Sequence, residues 1–237
     1  MSKMVDDIFS DIAGKYDLIG HIFSFGVDGI WRKIAAAEAI IESAEYSVLD
    51  VATGTGSLVL DIAEKACKYN KSICITGVDL NRDMLKIAKN KIDTKIDRKK
   101  KYSNIKIDLK LEDAMRLEEP AGSYDVVTAG FLLRNVDDAV VFVKELKKVL
   151  KSGGKFILLE MGKTDSKFLD FLYGLYFAVI RLAGSLINKD AYRWLTRSIM
   201  KFSRDKMIEI LQDNGFENIK IKNLPFQICF IITGKNA

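Results

Sequence analysis

Two rhythms of apolar and polar positions alternate along the 237 residues. Short apolar runs bounded by Gly, Asp or Asn predict buried strands over 47–51, 73–78, 105–111, 124–129 and 155–160. Between them, apolar residues at helical spacing predict helices over 57–68, 83–92 and 137–150. Alternation of this kind predicts an α/β fold, with a largely parallel sheet covered by helices on both faces. Residues 4–43 read as helices ahead of the first strand. Lys151-Ser152-Gly153-Gly154 reads as a helix stop, glycine supplying the left-handed residue that ends a helix. Helical spacing returns from 165 to about 214, closed by Asp213-Asn214-Gly215. Two apolar strands, about 217–223 and 227–233 with Pro225 in the turn, predict a C-terminal antiparallel hairpin. No repeat, low-complexity tract or Pro/Ser-rich linker divides the chain. Residues 1–237 are therefore expected to form one domain, with 1–43 as an N-terminal helical part and 165–200 as a helical insertion.

The insertion is unusual in its polarity. Phe168, Phe171, Leu172, Leu175, Tyr176, Val179, Ile180 and Leu182 make it apolar on most of its circumference. Such a helix belongs in a core or walls a non-aqueous site, and the core is expected for most of these side chains. Asp170 and Arg181 argue against a bilayer span over 168–187. Gly174 predicts close packing or a bend there.

Composition narrows the picture further. Hydrophobic residues are 49% and charged residues 29%, which fits a folded chain rather than a disordered one. The formal charge is +5, and the lysine-rich stretch Lys95 to Lys101 is expected to be solvated surface, with contact to an anionic membrane as the alternative. No aromatic residues interleave with those lysines, so nucleic acid is not an expected partner. Cys67, Cys74 and Cys229 lack metal-type spacing and there is one histidine, so no metal site is expected. Nothing implies a disulfide framework or, over Met1 to Asp11, a signal-peptide core, which makes a reducing cytoplasm the default. A monomer and an oligomer are both compatible with the pattern.

The chemistry begins at Tyr46-Ser-Val-Leu-Asp50-Val-Ala52-Thr-Gly54-Thr55-Gly56, an apolar strand that ends in an acid and runs into a two-glycine loop ahead of a helix. Glycine lets the backbone turn sharply and approach a ligand closely. The dinucleotide fingerprint would need a third glycine, and Val59 stands in its place. Asp50 also suits a ligand ammonium better than a pyrophosphate, which points to S-adenosylmethionine. The second strand ends in Asp79, followed by Leu80 and Asn81. An acid there reaches ribose hydroxyls in a doubly wound sheet, a group that S-adenosylmethionine shares with NAD.

Several stretches resemble the ubiquinone/menaquinone biosynthesis C-methyltransferase family, within the class I S-adenosylmethionine-dependent enzymes. They are Tyr16-Asp17 with Ser24-Phe25-Gly26 and Trp31-Arg32, the loop Leu49 to Gly56, Gly77-Val-Asp79-Leu-Asn81, Leu133-Arg134-Asn135-Val136-Asp137-Asp138, and Val149 to Gly154. Ala191 to Leu195, Ser198-Ile199, Gly215-Phe216 and Asn223-Leu224 continue the match in order. The resemblance implies a Rossmann-like class I methyltransferase sheet, S-adenosyl-L-methionine as cofactor, and a prenylquinol as the lipid acceptor. It also implies a cytoplasmic enzyme with peripheral membrane contact, its insertion lying over the substrate site. Gly20, Leu132, Pro225 and Gln227, and Ser152 and Thr164, depart from the family's usual residues, mostly on the substrate side. Another small acceptor, a non-catalytic cofactor-binding partner and an NAD-linked oxidoreductase are the competing readings.

The candidate cofactor residues are Tyr16, Asp50, Ala52, Gly54, Thr55, Gly56, Asp79, Leu80, Asp113, Ala114 and Gly130. The loop amides would cradle the methionine part at a helix N-terminus. Glu112-Asp113-Ala114 suits an adenine amine and ring. Gly130 ends the fourth strand facing the methyl group, and Tyr16 either closes over the cofactor or packs as an ordinary aromatic. The candidate catalytic residues are Arg134, Asn135 and His21. Arginine cannot readily act as a base, but it can stabilise a phenolate, unless it is spent on a salt bridge to Asp137 or Asp138. His21, the single histidine, is a general-base candidate because imidazole is the usual side chain for that task, with a structural role as its competitor.

Overall fold

A computed structural model describes residues 10, 13–24, 26–96 and 100–237, without the side chains of 23, 100, 183–195, 200 and 201. The N-terminal part supplies α1 (Tyr16–Phe23) and α2 (Asp28–Glu38). The alternating region supplies β1 (Glu45–Val51), α3 (Ser57–Lys68), β2 (Ser72–Asp79), α4 (Arg82–Lys95), β3 (Ile105–Leu111) and β4 (Tyr124–Gly130). It continues with α5 (Ala139–Val149), β5 (Leu150–Met161), α6 (Lys167–Lys201), α7 (Arg204–Asp213), β6 (Phe216–Asn223) and β7 (Cys229–Asn236).

The seven strands run in the order β3-β2-β1-β4-β5-β7-β6. The first five are parallel, and β7 pairs antiparallel with both β5 and β6. Strand order reverses between β1 and β4, and such a switch point opens a crevice at the carboxyl ends of the strands. Because both sheet faces are covered, successive strand residues enter opposite cores, as with Val48 and Leu49, or Ile157 and Leu158. One core holds Trp31, Ala35, Val59 and Ile62 from α2 and α3; the other holds Phe142, Leu146, Met207 and Leu211 from α5 and α7. The outermost strand β6 carries Lys220 and Lys222, charges that discourage pairing of its open edge.

Several local expectations are refined or corrected. Helix α5 starts after its N-cap Asp138, whose carboxylate accepts from the Val140 and Val141 amides, and it ends at Val149. The stretch Lys151 to Gly154 is not a helix stop but the irregular beginning of β5, since Leu150 already pairs with Tyr124. The helical material after 165 breaks at Phe202-Ser203, where the Ser203 hydroxyl caps α7. The apolar insertion is not core either: Phe168, Phe171, Leu172, Leu175 and Val179 are all exposed, and Phe177 is buried. Nothing lies within 4 Å of a Cβ placed at Gly174, so close packing does not explain that glycine. No helix among the described residues is long and apolar enough to cross a membrane.

Candidate active site

The loop after β1 is shaped by backbone that turns left-handed three times, at Ala52 (φ 57°), Gly54 (φ 55°) and Gly56 (φ 75°). Gly56 is the N-cap of α3, and a Cβ there would lie 3.0 Å from the Ala88 Cβ, so only glycine lets α3 and α4 approach. Gly54 faces open space, with nothing within 4 Å of a Cβ position, so the loop backbone is accessible. Its N–H donates to Asp79 Oδ2 at 2.7 Å, while the Asn81 N–H donates to Asp79 Oδ1 at 2.8 Å. The carboxyl end of β2 is thereby tied to the loop after β1. Asn81 also caps α4, its side-chain oxygen accepting from the Asp83 and Met84 amides. Across the switch point, Phe131 follows Gly130 with φ 59°, a conformation that costs a non-glycine residue roughly 1–3 kcal/mol and clusters at functional sites.

These elements line an open cleft, about 670 Å³ with the solvent at its mouth included, at the carboxyl ends of β1, β2, β3 and β4. Of the residues named from sequence, Tyr16, Ala52, Gly54, Asp79, Leu80, Asp113, Ala114, Gly130 and Asn135 line it. Met84, Met115, Phe131, Leu132 and Val136 complete an apolar wall, of which sequence reasoning singled out Leu132 alone, as a departure from the family's usual residue. Asp79, Glu112 and Asp113 give the cleft an acidic rim, suited to a ligand with cationic centres and hostile to a pyrophosphate. Burial pushes the Tyr16 phenol above its ordinary value, the Arg134 guanidinium opposing and Asp79 adding to it, so the phenol stays neutral at pH 7.

Asp50, Thr55 and Gly56 lie beneath or beside the cleft rather than on its wall. Asp50 is 1% exposed and accepts a 2.5 Å hydrogen bond from the Thr128 hydroxyl. Burial is the main cause that raises its carboxyl from 3.8 to about 6, against the hydrogen bond from Thr128, with the Asp79 charge adding to it. A carboxyl held more tightly protonated in the fold contributes stability that is full below about pH 3.8 and lost as pH rises through about 6. At pH 7 the ionised Asp50 therefore costs the fold on the order of 3 kcal/mol. Asp50→Asn should make the ligand-free protein more stable than the parent at pH 7 and close to it at pH 4. Chemical denaturation at the two pH values checks this, and an identical gap at both would refute the burial argument.

Thr55 has a different task from the one expected. Its hydroxyl donates to Asp17 Oδ1 at 2.7 Å, and Lys91 on α4 donates to Thr55 Oγ1 at 2.9 Å, to Ser57 Oγ at 3.2 Å and to Asp17. Asp17 adjoins Tyr16, so this clasp pins α1 to the glycine loop. Lys91 and Asp17 are only partly buried, so the clasp is worth about 1 kcal/mol. Lys91→Met should raise the cofactor Kd about fivefold and leave turnover at saturation within about twofold. Calorimetric titration beside saturating kinetics reads both; equal affinities would dismiss the clasp.

Arg134 and Asn135 occupy a short 3₁₀ turn after β4. The Asn135 side-chain Nδ2 donates to the Phe131 carbonyl at 3.1 Å. Arg134 pairs neither with Asp137 nor with Asp138 in a salt bridge; its partner is Glu160 at the end of β5, with side chains 6% and 0% exposed. Glu160 also accepts from the Met161 amide at 2.8 Å and the Arg134 amide at 3.3 Å. Burial raises the Glu160 carboxyl, and the Arg134 charge works against it. The Arg134 Nε is buried without a hydrogen-bond partner. Its guanidinium sits 5.6 Å from the Phe131 ring centroid, behind the cleft wall. Glu160 is the functional candidate that sequence reasoning missed. His21 is not brought to the cleft: its ring is 61% exposed and lies 2.9 Å from Asp28. Five residues along α1 rotate it well away from Tyr16, which is why one faces the cleft and the other does not.

Fold and cleft together have the form of a class I methyltransferase that depends on S-adenosylmethionine. The residues fit that cofactor: an open loop backbone at a helix N-terminus, an acid after β2, and acids along the cleft rim that can accept from the hydroxyls and amine of an adenosine. The chain belongs to the ubiE/COQ5 methyltransferase family, whose model matches residues 1–236. It is 37% identical over 236 residues to the ubiquinone/menaquinone biosynthesis C-methyltransferase UbiE of Rickettsia akari, covering 98% of this chain and 92% of that protein. The UbiE of Rickettsia bellii is also 37% identical, over 97% of this chain and 91% of its own length. In fold, the chain is similar to a SAM-dependent methyltransferase from Aquifex aeolicus (TM-score 0.59, 14% identity, 87% of this chain and 89% of that one). Haemonchus contortus phosphoethanolamine N-methyltransferase 2, solved with S-adenosyl-L-methionine, is similar too (TM-score 0.58, 13% identity, 86% and 52%). The chemistry of the family, S-adenosylmethionine-dependent C-methylation, is thus that of this chain.

Proposed function

We propose that the protein methylates a ring carbon of a demethylated prenylquinol of the menaquinone or ubiquinone type, at the cytoplasmic face of a membrane. The observation that carries the reading is the match of 98% of the chain to a C-methyltransferase of quinone biosynthesis. S-adenosylmethionine supplies an electrophilic methyl group. Gly54 lets the loop backbone lie against its methionine part, Asp79 accepts from its ribose, and Asp113 with Ala114 receives its adenine. Asp50, beneath the loop, adds negative potential below the cationic end. Tyr16 closes one side, held by the Asp17 clasp.

The acceptor ring then stands between Gly130, Phe131, Leu132 and Asn135. Its hydroxyl must lose a proton to water before the ring carbon is nucleophilic enough to attack, and the carbon sheds its own proton after methylation. Asn135 orients the ring oxygen. Arg134, a guanidinium that keeps its charge, takes no proton; that charge favours the phenolate from behind the wall. Alignment of the two reactants supplies much of the acceleration.

Side-by-side assays test the acceptor class. A demethylated quinol with a short prenyl tail should be methylated far faster than an aromatic amine, a phosphoethanolamine or a sterol. Preference for any of these three would replace the quinol reading.

A further inference from the structure

The outward face of α6 is used by none of this chemistry. Phe168, Phe171, Leu172, Leu175 and Val179 recur at steps of three and four, which sets them on one side of a helix. They are 68%, 69%, 42%, 59% and 59% exposed. The opposite side is where α6 meets the protein. Phe177 is buried there, and the Tyr173 and Tyr176 hydroxyls donate to the carbonyls of Phe226 (2.6 Å) and Ile22 (2.9 Å). These two bonds fix the rotation of the helix, so its apolar stripe points outward. They also bring beside it two residues whose own side chains are exposed, Phe226 and Ile22. Single exposed apolar residues are ordinary, but seven on three adjoining segments form the kind of patch that marks an interaction surface.

Charge decides what covers it. Lys167 and Arg181, both exposed, stand at the two ends of the stretch and on the same flank of the helix. Asp170 is the only acid between them, and its carboxylate accepts from the Thr164 amide at 2.7 Å. Two copies of the chain meeting through this face would bring cations together with no free acid of the stripe to answer them. An anionic lipid surface answers both cations and takes the apolar stripe as well. From Phe168 to Val179 the stripe is about 17 Å long, too short to cross a bilayer and suited to lying in its interface.

We infer that this face of α6 docks on an anionic phospholipid bilayer, with the helix lying in the plane of the membrane. The five stripe side chains enter the acyl boundary, and Lys167 and Arg181 stay at the headgroups. The inference rests on the prenylquinol reading for its purpose, since such an acceptor is delivered from a bilayer.

The test is sedimentation of the intact protein with vesicles of phosphatidylcholine alone and of equal parts phosphatidylcholine and phosphatidylglycerol, without any acceptor. The protein should bind the mixed vesicles, bind phosphatidylcholine poorly, and release with added salt. Phe171→Glu with Leu175→Glu should weaken binding about tenfold or more, and Lys167→Glu with Arg181→Glu should remove its salt dependence. Unchanged thermal stabilisation by S-adenosylmethionine shows that the variants fold. Failure of the parent to bind either vesicle, or unimpaired binding by Phe171→Glu with Leu175→Glu, would overturn the inference. So would a dimer in solution that Leu175→Glu converts to monomer, because a second copy would then cover the face. If no quinol is methylated but vesicle binding follows the expected pattern, the acceptor reading fails and the docking surface stands.

Discussion

Arg134→Met should destabilise the protein by about 3–5 kcal/mol, because it strands the Glu160 carboxylate in a fully buried place. Glu160→Met should do the same by stranding the guanidinium. The double variant, Arg134→Met with Glu160→Met, should recover the parent's stability to within about 1 kcal/mol, since a well-packed apolar pair replaces a buried ion pair with little loss. Turnover should not recover with it. If the Arg134 charge favours the phenolate, the double variant binds S-adenosylmethionine normally and turns over about a hundredfold to a thousandfold more slowly. Denaturant unfolding, cofactor titration and turnover on the three variants separate the two roles. A stable double variant that keeps parental turnover would make Arg134 and Glu160 purely structural.

The second large effect is expected at Asp79. One carboxylate joins the loop after β1 to the turn after β2 through the Gly54 and Asn81 amides, and it faces the cleft. Asp79→Ala removes both bonds and the acceptor for the ribose. At about 1.5–3 kcal/mol for each hydrogen bond to a charged group, affinity for S-adenosylmethionine should fall at least a hundredfold. Calorimetric titration reads it directly. An affinity within about threefold of the parent would remove Asp79 from the cofactor site.

The parts of this molecule that could be read from sequence are those whose cause is local. The strand–loop–helix at Asp50 to Gly56 announces itself because the glycines, and the acids ending β1 and β2, lie within a few residues of the turns they make. Alternation of strand and helix was enough for the parallel sheet, and the C-terminal hairpin followed from two apolar runs around Pro225. What escaped was set by distant partners. Glu160 lies 26 residues from Arg134, while Asp137 and Asp138 were the near and misleading choices. Lys91 is 74 residues from Asp17, and nothing near either residue marks the pair. His21 and Tyr16 share a short helix, and only the docking of that helix decides which one faces the cleft. The stripe of α6 is apolar whether it faces a core or a surface, so its spacing gave the helix but not the side it would bury. Leu150 to Gly154 could not be separated from a helix stop until β4 supplied the pairing partner.

The central claim is methyl transfer from S-adenosylmethionine to a ring carbon of a prenylquinol. It is tested most directly by incubating the purified protein with methyl-deuterated S-adenosylmethionine and a reduced, demethylated prenylquinone, and reading the product by mass and fragmentation. The account predicts one labelled methyl group on a ring carbon, with loss of one ring proton. A label on oxygen or nitrogen, or no transfer from a cofactor that still binds, would contradict it.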